Sequence, residues 1–231
     1  MRSLSTAASP RNLTLLALAC IVLWDLAGLD LPLARLAGDV HGFPWRDHWL
    51  LANVLHKGAR ALGTIFAIAL CVGVWWPIGP LKKISRARRA QIAVTAFVAA
   101  GAISLLKSWS AFSCPWDLQA FGGDVPYVPH WLGLAGDGGP GHCFPAGHAS
   151  WGFAFVGGYF AFRETDSRIA RAWLLGALAV GFALGWVQQL RGAHFMSHAL
   201  WSAWICWVIA YAIDAACSFM PAPAGVVIRR R

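Results

Sequence analysis

The sequence predicts an all-α membrane protein with six transmembrane helices. Hydrophobic residues make up 58% of the 231 positions and charged residues only 13%, whereas a soluble domain carries about 25% charged residues. Apolar runs long enough to cross a bilayer recur along the chain, with basic residues clustered between them. We therefore expect residues 1–231 to form a single integral membrane domain.

Six apolar runs account for the predicted helices. A span needs about 20 mostly apolar residues, and span boundaries read from a sequence are placed to within about 2–4 residues. The fourth run is short, and its helix is predicted to begin at His148 within the interface. The predicted spans are residues 12–29, 60–79, 91–108, 148–163, 172–190 and 197–217.

The basic clusters predict the orientation in the membrane. They precede the first run, follow the second and fourth runs and close the chain, which is the positive-inside pattern of a bacterial inner-membrane protein. Both termini are then cytoplasmic, and the segments 30–59, 109–147 and 191–196 lie on the periplasmic side. The net charge of +9 therefore reflects topology rather than nucleic-acid binding. The clustered residues are Arg2, Arg11, Lys82, Lys83, Arg86, Arg88, Arg89, Arg163, Arg168, Arg171, Arg229, Arg230 and Arg231.

The first outer segment, residues 30–59, mixes charged and aromatic residues with helical periodicity. We expect one or two interfacial helices along the outer leaflet. Its histidines, His41, His48 and His56, are interpreted as polar residues that face the interface rather than as ligands. The preceding apolar run is interpreted as an uncleaved span, because no small-residue cleavage signal follows it.

Polar residues gather at the outer ends of the predicted spans. Lysine and arginine neutralise phosphoryl oxygens, and free N–H groups at a helix start favour an anion. One histidine can attack phosphorus while another protonates the leaving oxygen. The 109–147 loop is long and glycine-rich, as functional loops tend to be. These features predict a phosphoryl site built from Lys107, Gly147, His148, Arg191, His194 and His198.

Three short motifs carry a resemblance to a known family. They are KSWSAFSCP at residues 107–115, PAGH at 145–148 and VQQLRGAHFMSH at 187–198. Their order and spacing are similar to the K-x6-R-P, P-S-G-H and S-R-x5-H-x3-D motifs of the type 2 phosphatidic acid phosphatases (PAP2), which share an active-site design with vanadium haloperoxidases. The resemblance covers about residues 60–215. It implies a PAP2/haloperoxidase-like helical bundle with an active site at its outer face.

The resemblance implies a role for each matching residue. His194 matches the nucleophile that forms a phosphohistidine, and His148 matches the general acid that protonates the departing oxygen. Lys107 matches a phosphate-binding lysine, and Gly147 matches the glycine whose backbone N–H contacts the phosphate. No metal ion or other cofactor is implied, because histidines and cations carry the chemistry.

Four positions depart from the family motifs. Cys114 and Gln188 stand where the family has arginines, Ala146 stands where it has a serine, and His198 stands where it has the aspartate that orients the nucleophile. Each lost charged hydrogen bond weakens phosphate binding by roughly 1.5–3 kcal/mol. Arg191 lies one helical turn after Gln188 and is a candidate to compensate.

Several neighbours are candidates to support the altered site. Gln188 still donates hydrogen bonds, and His198 can orient His194 without supplying a charge. The loop aspartates Asp137, Asp124 and Asp117 are alternative sources of that charge, and His142 is a further supporting residue.

Two of the six cysteines, Cys114 and Cys143, lie in the outer loop. The family brings their two segments together at the active site. We therefore hypothesise a disulfide that closes the loop over the pocket and contributes roughly 3–4 kcal/mol. The other four lie in apolar runs, where a thiol behaves as a small hydrophobe.

The function that the resemblance implies is hydrolysis of a lipid phosphate that enters laterally from the outer leaflet. Undecaprenyl diphosphate, phosphatidylglycerophosphate, phosphatidate and a lipid A phosphate are candidate substrates. Three alternatives stay open: a lipid phosphotransferase, a catalytically altered or inactive lipid-binding protein, and a zinc site. The zinc site would use three or four of His142, His148, His194 and His198. It ranks low because no HExxH glutamate accompanies them and the family motifs account for two of them without a metal, and a soluble haloperoxidase role ranks lower still.

Overall fold

Eight α-helices dominate the part of the chain that the structure describes. The computed structural model describes residues 9–132 and 136–219, and this part contains no β-sheet, which confirms the prediction of an all-α fold. The helices are α1 Pro10–Leu26, α2 Asp30–Ala34, α3 Ala59–Trp75, α4 Arg86–Trp109, α5 Ser150–Phe153, α6 Gly157–Phe162, α7 Ser167–Leu190 and α8 Met196–Phe219.

Two helical runs are longer than these bounds suggest. A π-helical segment, Leu50–Gly58, continues into α3. With the 3₁₀ turn that follows α3, it forms one run of 34 residues, Leu50–Lys83. The 3₁₀ turn Ala154–Val156 joins α5 to α6 in the same way.

Four helices are long and apolar enough to cross a membrane: Leu50–Lys83, Arg86–Trp109, Ser167–Leu190 and Met196–Ser218. They correspond to the second, third, fifth and sixth predicted spans. Many of their large apolar side chains point away from the protein interior, as lipid-facing residues do. Examples are Leu62, Ile65, Phe97 and Leu175.

The structure does not confirm the remaining two spans. The helix α1 has 17 residues, and the run over residues 150–162 is about 20 Å long, whereas the bilayer core is about 30 Å thick. The run over residues 150–162 is apolar for a reason other than contact with lipid. Phe153, Phe160 and Phe162 are fully buried because the run packs against α4, α7 and α8. It forms a protein core rather than a lipid-facing surface.

The segments that the sequence predicts to lie outside the membrane form a small cap over one end of the bundle. Phe43 from the first outer segment packs with Leu118 and Phe121 from the long loop and with Phe195 beside the start of α8. The expected interfacial helices are reduced to the short α2, because Leu50–Gly58 merges with α3. The cap holds residues 110–132 and 136–147 of the long loop above the helix ends that carry the motif residues.

The opposite end of the bundle carries the basic clusters. In α4, Arg88 in the first turn and Lys107 in the last turn are separated by roughly 28 Å of helix. Ser85 caps the start of α4, and Asp166 caps the start of α7. Arg2 and residues 229–231, which contribute to the predicted topology, lie outside the described residues.

Asp214, near the end of α8, is a buried carboxylate at the end of the bundle that carries the basic clusters. Its carboxylate is 1% exposed and accepts hydrogen bonds from Arg88 at 2.6 Å, Arg163 at 2.8 Å and Gln91 at 3.0 Å. The two arginines compensate the buried charge, as a buried carboxylate requires. This contact joins α4, the end of α6 and α8.

We expect Asp214→Asn to destabilise the protein, because Arg88 and Arg163 lose their buried counter-charge and keep only the longer contacts with the exposed Glu164, at 3.7 Å and 3.9 Å. Breaking a buried pair costs about 3–5 kcal/mol, and the partial exposure of both arginines favours the lower end. For a chain of this size, about 3 kcal/mol lowers Tm by about 6–12 °C. Thermal unfolding in detergent measures this shift. Glu164→Gln, which alters a carboxylate that is 67% exposed, is the control and should change Tm by much less. Equal shifts for both variants would contradict the assigned role of Asp214.

Candidate active site

The three motif segments meet at the capped end of the bundle, opposite the basic clusters. Lys107 lies in the last turn of α4, and Gly147 and His148 lie three and two residues before the first residue of α5. His194 lies in the turn between α7 and α8, and His198 lies in the first turn of α8. Residues that are far apart in sequence therefore reach one site.

Lys107 is tied to the loop that enters α5. Its Nζ donates a hydrogen bond to the carbonyl oxygen of His142 at 2.6 Å, and the Nδ1 atom of His142 lies 3.3 Å from the carbonyl oxygen of Lys107. A Cβ atom on Gly147 would lie 3.4 Å from the Cδ atom of Lys107. His142 has a φ of 57°, a backbone conformation that is uncommon outside glycine. The lysine stem and the Gly147 backbone therefore line the same side of the site.

His194 is buried, with 3% of its surface exposed. Its Nδ1 atom lies 3.5 Å from Nδ1 of His198 and 3.5 Å from Sγ of Cys143. Burial lowers the pKa of His194 well below its usual value, and the nearby Lys107 and His198 lower it further. Its imidazole is therefore neutral near pH 7. With Nδ1 directed at His198 and Cys143, Nε2 is the nitrogen available to a substrate.

His148 packs against a histidine that the sequence analysis did not assign to the site. The ring centroids of His148 and His56 lie 3.7 Å apart in an edge-to-face arrangement. Burial lowers the pKa of His148 to about 3, and the positive charges of His56, Lys107 and Arg191 contribute to this decrease. An anionic phosphoryl group would oppose these effects and favour the protonated form of His148.

Arg191 lies beside the position at which the family has an arginine. Its Nη1 atom donates to Oε1 of Gln188 at 3.1 Å and lies 2.9 Å from Nδ1 of His56, and its Nε donates to the carbonyl oxygen of Arg46 at 2.9 Å. Within the described chain, the buried Nε2 atom of Gln188 has no hydrogen-bond partner. The pair therefore offers a guanidinium and a free amide donor.

Ala146 and His198 join the second motif to α8 through the backbone. The N–H of Ala146 donates to the carbonyl oxygen of His198 at 3.1 Å. Ser202 Oγ contacts the carbonyl oxygens of both residues, at 3.0 Å and 2.8 Å. Both Ala146 and His198 are buried. The alanine that replaces the family serine thus packs against α8.

The loop aspartates contact groups other than the two histidines. Asp137 accepts hydrogen bonds from the backbone and hydroxyl of Ser113, at 2.6 Å and 2.9 Å. Asp117 accepts from the backbone N–H of Cys114 at 3.2 Å. Although Asp137 and His198 line the same small cavity, Asp137 chiefly shapes the loop.

Cys114 and Cys143 lie at disulfide-bonding distance, with their Cα atoms 5.1 Å apart. This pairing fits the hypothesised disulfide between the first and second motif segments. Cys143 is fully buried and contacts His194. The cross-link therefore connects the end of α4 to the wall of the site.

Three residues of the candidate site are close enough to one another to be considered as ligands of a zinc ion. Cys143, His194 and His198 each offer a ligand atom within 4.8 Å of the others. A disulfide sulfur is not a thiolate and is a poor metal ligand. His142 and His148, which the zinc alternative requires, are not members of this cluster. The geometry therefore gives little support to a zinc site at the motif residues.

The sequence analysis missed His56 because the residue lies outside all three motifs. It was assigned to the interfacial segment together with His41 and His48. One signal was present: His56 lies four residues before the second predicted span, in a segment that the predicted topology places on the same side of the membrane as the motif residues. The π-helical segment that carries His56 is a type of distortion often found at functional sites.

Comparison with known families supports the resemblance seen in the motifs. The sequence model of the PAP2 superfamily matches residues 89–216, which is more than half of the chain. No curated protein and no solved structure gives a significant match. The matched region contains Lys107, His148, Arg191 and His194, although the family match does not assign roles to them. The chain belongs to the PAP2 superfamily.

Proposed function

We propose that this protein hydrolyses lipid phosphates at the outer face of a bacterial inner membrane. Membership of the PAP2 superfamily suggests a phosphatase of this type. In the proposed topology, residues 1–231 form one domain with six membrane-inserted helical runs and cytoplasmic termini. The short run over residues 150–162 lies inside the bundle. The cap and the motif residues then face the periplasm.

The contact between Arg191 and Gln188 carries the proposal. The altered motifs lack two family arginines, which favours an inactive descendant. The guanidinium of Arg191, 3.1 Å from Gln188, supports retention of a cation at one of these positions. Together with Lys107, it provides two positive charges for a phosphoryl group. We therefore favour an enzyme over a binding protein.

In the proposed reaction, His194 Nε2 attacks phosphorus and the bond from phosphorus to the leaving oxygen breaks. His148, protonated in the presence of the bound anion, transfers its proton to that oxygen. A phosphohistidine forms, and water then attacks it to release inorganic phosphate. Lys107, Arg191 and Gln188 stabilise the negative charge on the equatorial oxygens. His198 orients His194 through its Nδ1 atom.

An apolar groove beside the site suggests how a lipid substrate binds. A cavity of about 410 Å³ lies between α3, α5 and α7 and is lined by Phe66, Trp151, Gly176 and Leu184, among others. Trp151 lies three residues after His148, and Leu184 lies one turn before Gln188. The groove therefore approaches the site from the lipid-facing side. We propose that it holds the hydrocarbon chain of a polyprenyl diphosphate, phosphatidate, phosphatidylglycerophosphate or lipid A phosphate.

We expect His194→Ala to abolish phosphate release, because the nucleophile is lost. His148→Gln should lower the rate by ~10²–10⁴-fold, the usual contribution of a general acid. A phosphate-release assay on a panel of lipid phosphates measures both effects, and the exposed His41→Ala is the matched control. Full activity of His194→Ala would rule out this mechanism. Phosphorylated lipid product without free phosphate would instead identify a phosphotransferase.

We expect Arg191→Gln to lower kcat/KM by about 10–150-fold, which corresponds to the loss of one charged hydrogen bond worth roughly 1.5–3 kcal/mol. The double variant Arg191→Gln/Gln188→Arg, which restores the family residue, should recover much of this loss. Steady-state kinetics on a lipid phosphate compare the two. An Arg191→Gln variant with wild-type kinetics would contradict the role of the guanidinium.

We expect Gly176→Leu to raise KM for a long-chain lipid phosphate by about 10-fold, a change of ~1.4 kcal/mol. Hydrolysis of a short-chain soluble phosphate should stay unchanged. A Cβ on Gly176 meets no heavy atom within 4 Å, so the leucine enters the groove without a backbone clash. Gly101→Leu, at an equally open position in α4, is the matched control outside the groove. Equal losses on both substrates would show that the groove does not hold the chain.

A further inference from the structure

A second cluster of ionisable residues lies behind the candidate active site. Asp25 lies near the end of α1, Asp30 begins α2, and His130 belongs to the outer loop. Each offers one ligand atom, and these atoms all lie within 4.8 Å of one another. The three residues come from separate segments of the cap and of α1.

The cluster is buried, yet its polar atoms are incompletely satisfied. The side chains of His130 and Asp25 are 8% and 6% exposed, and Nε2 of His130 lies 3.4 Å from Oδ2 of Asp25. Within residues 9–132 and 136–219, the buried Oδ1 atom of Asp25 and Nε2 atom of His130 have no hydrogen-bond partner. Buried polar atoms without partners are rare and costly.

The two carboxylates also lack a strong counter-charge. Asp25 accepts a hydrogen bond from Trp201 at 2.9 Å, and Asp30 accepts from Trp24, the backbone of Ser197 and the Ser197 hydroxyl. In the described part of the chain, neither carboxylate pairs with lysine or arginine. Buried Asp214, by contrast, is paired with two arginines. The cluster therefore holds up to two negative charges opposite one imidazole.

We propose that Asp25, Asp30 and His130 bind a divalent transition-metal ion, and that Zn²⁺ fits this donor set best. Two carboxylates and a neutral imidazole balance the charge of the cation, and nitrogen with carboxylate oxygen is an established zinc donor set. The three ligand atoms lie within 4.8 Å of one another, and zinc ligands lie about 2.0–2.2 Å from the metal. Small side-chain shifts therefore bring all three atoms to bonding distance of one ion. Tyr127 also lines the space beside the three residues.

The metal has a structural role in this proposal, distinct from phosphoryl transfer. The ring of His130 stacks on Phe144 at 4.3 Å and meets the ring of His198 edge-on at 5.7 Å. An ion held by His130 would therefore fix the outer loop against α1 and support the position of His198. Removal of the ion should loosen the cap while leaving the residues that contact phosphate in place.

Calorimetric titration of metal-free, non-reduced protein with Zn²⁺ alone tests the site. We expect one Zn²⁺ per chain and an increase in Tm on binding. Asp25→Asn and His130→Gln should each weaken binding by about 100-fold, since even supporting residues of metal sites contribute ~10–100-fold. His41→Gln, at an exposed histidine, and His194→Asn should retain wild-type affinity.

Co²⁺ absorption spectroscopy of the wild-type protein distinguishes this site from the cluster of Cys143, His194 and His198. We expect visible bands of Co²⁺ bound to nitrogen and oxygen, without a thiolate charge-transfer band in the near ultraviolet. No binding by the wild-type protein, a thiolate band, or loss of binding in His194→Asn but not in Asp25→Asn would overturn the proposal. The spectrum needs no variant, so it decides the question even if Asp25→Asn does not fold.

Discussion

The contacts of Arg191 connect the candidate active site to the fold. One guanidinium reaches Gln188 on its own helix, His56 at the entry to α3 and the carbonyl oxygen of Arg46 in the first outer segment. A buried cation in an apolar bundle is tolerated only with such partners. The charge of Arg191 also contributes to the low pKa of His148, which lies just before α5. The packing that stabilises the capped end of the bundle thus also concentrates positive charge there.

The altered motifs are consistent with a rearranged site rather than a degraded one. Three positions that differ from the family motifs contact other residues of the site. Gln188 contacts Arg191, His198 contacts His194, and Cys114 lies at disulfide-bonding distance from Cys143. A disulfide near the candidate site would be stable in an oxidising compartment, as the proposed periplasmic location requires. It also removes Cys143 from metal chemistry. In the proposed enzyme, a neutral imidazole replaces the carboxylate that would otherwise hold the nucleophile.

Much of the fold and part of the site could be predicted from the sequence, because hydropathy and short motif spacing are local properties. Four long apolar helices lie where the pattern predicted them. The fourth run was predicted as a span but is a short run buried in the protein core. The prediction failed because periodicity and composition do not distinguish residues that face a protein core from residues that face lipid. His56 and His130 were missed as participants for a related reason. Their contacts with His148 and His198 arise from tertiary packing between distant segments.

The central claim is that His194 forms a phosphohistidine, and mass spectrometry tests it most directly. The protein is mixed with a lipid phosphate, the reaction is quenched rapidly, and the protein is digested without acid, which would hydrolyse phosphohistidine. We expect a phosphohistidine in the peptide that contains His194, at an early time and in substoichiometric amount, followed by its decay as phosphate is released. Phosphate release without this intermediate, or phosphorylation of another residue, would contradict the account.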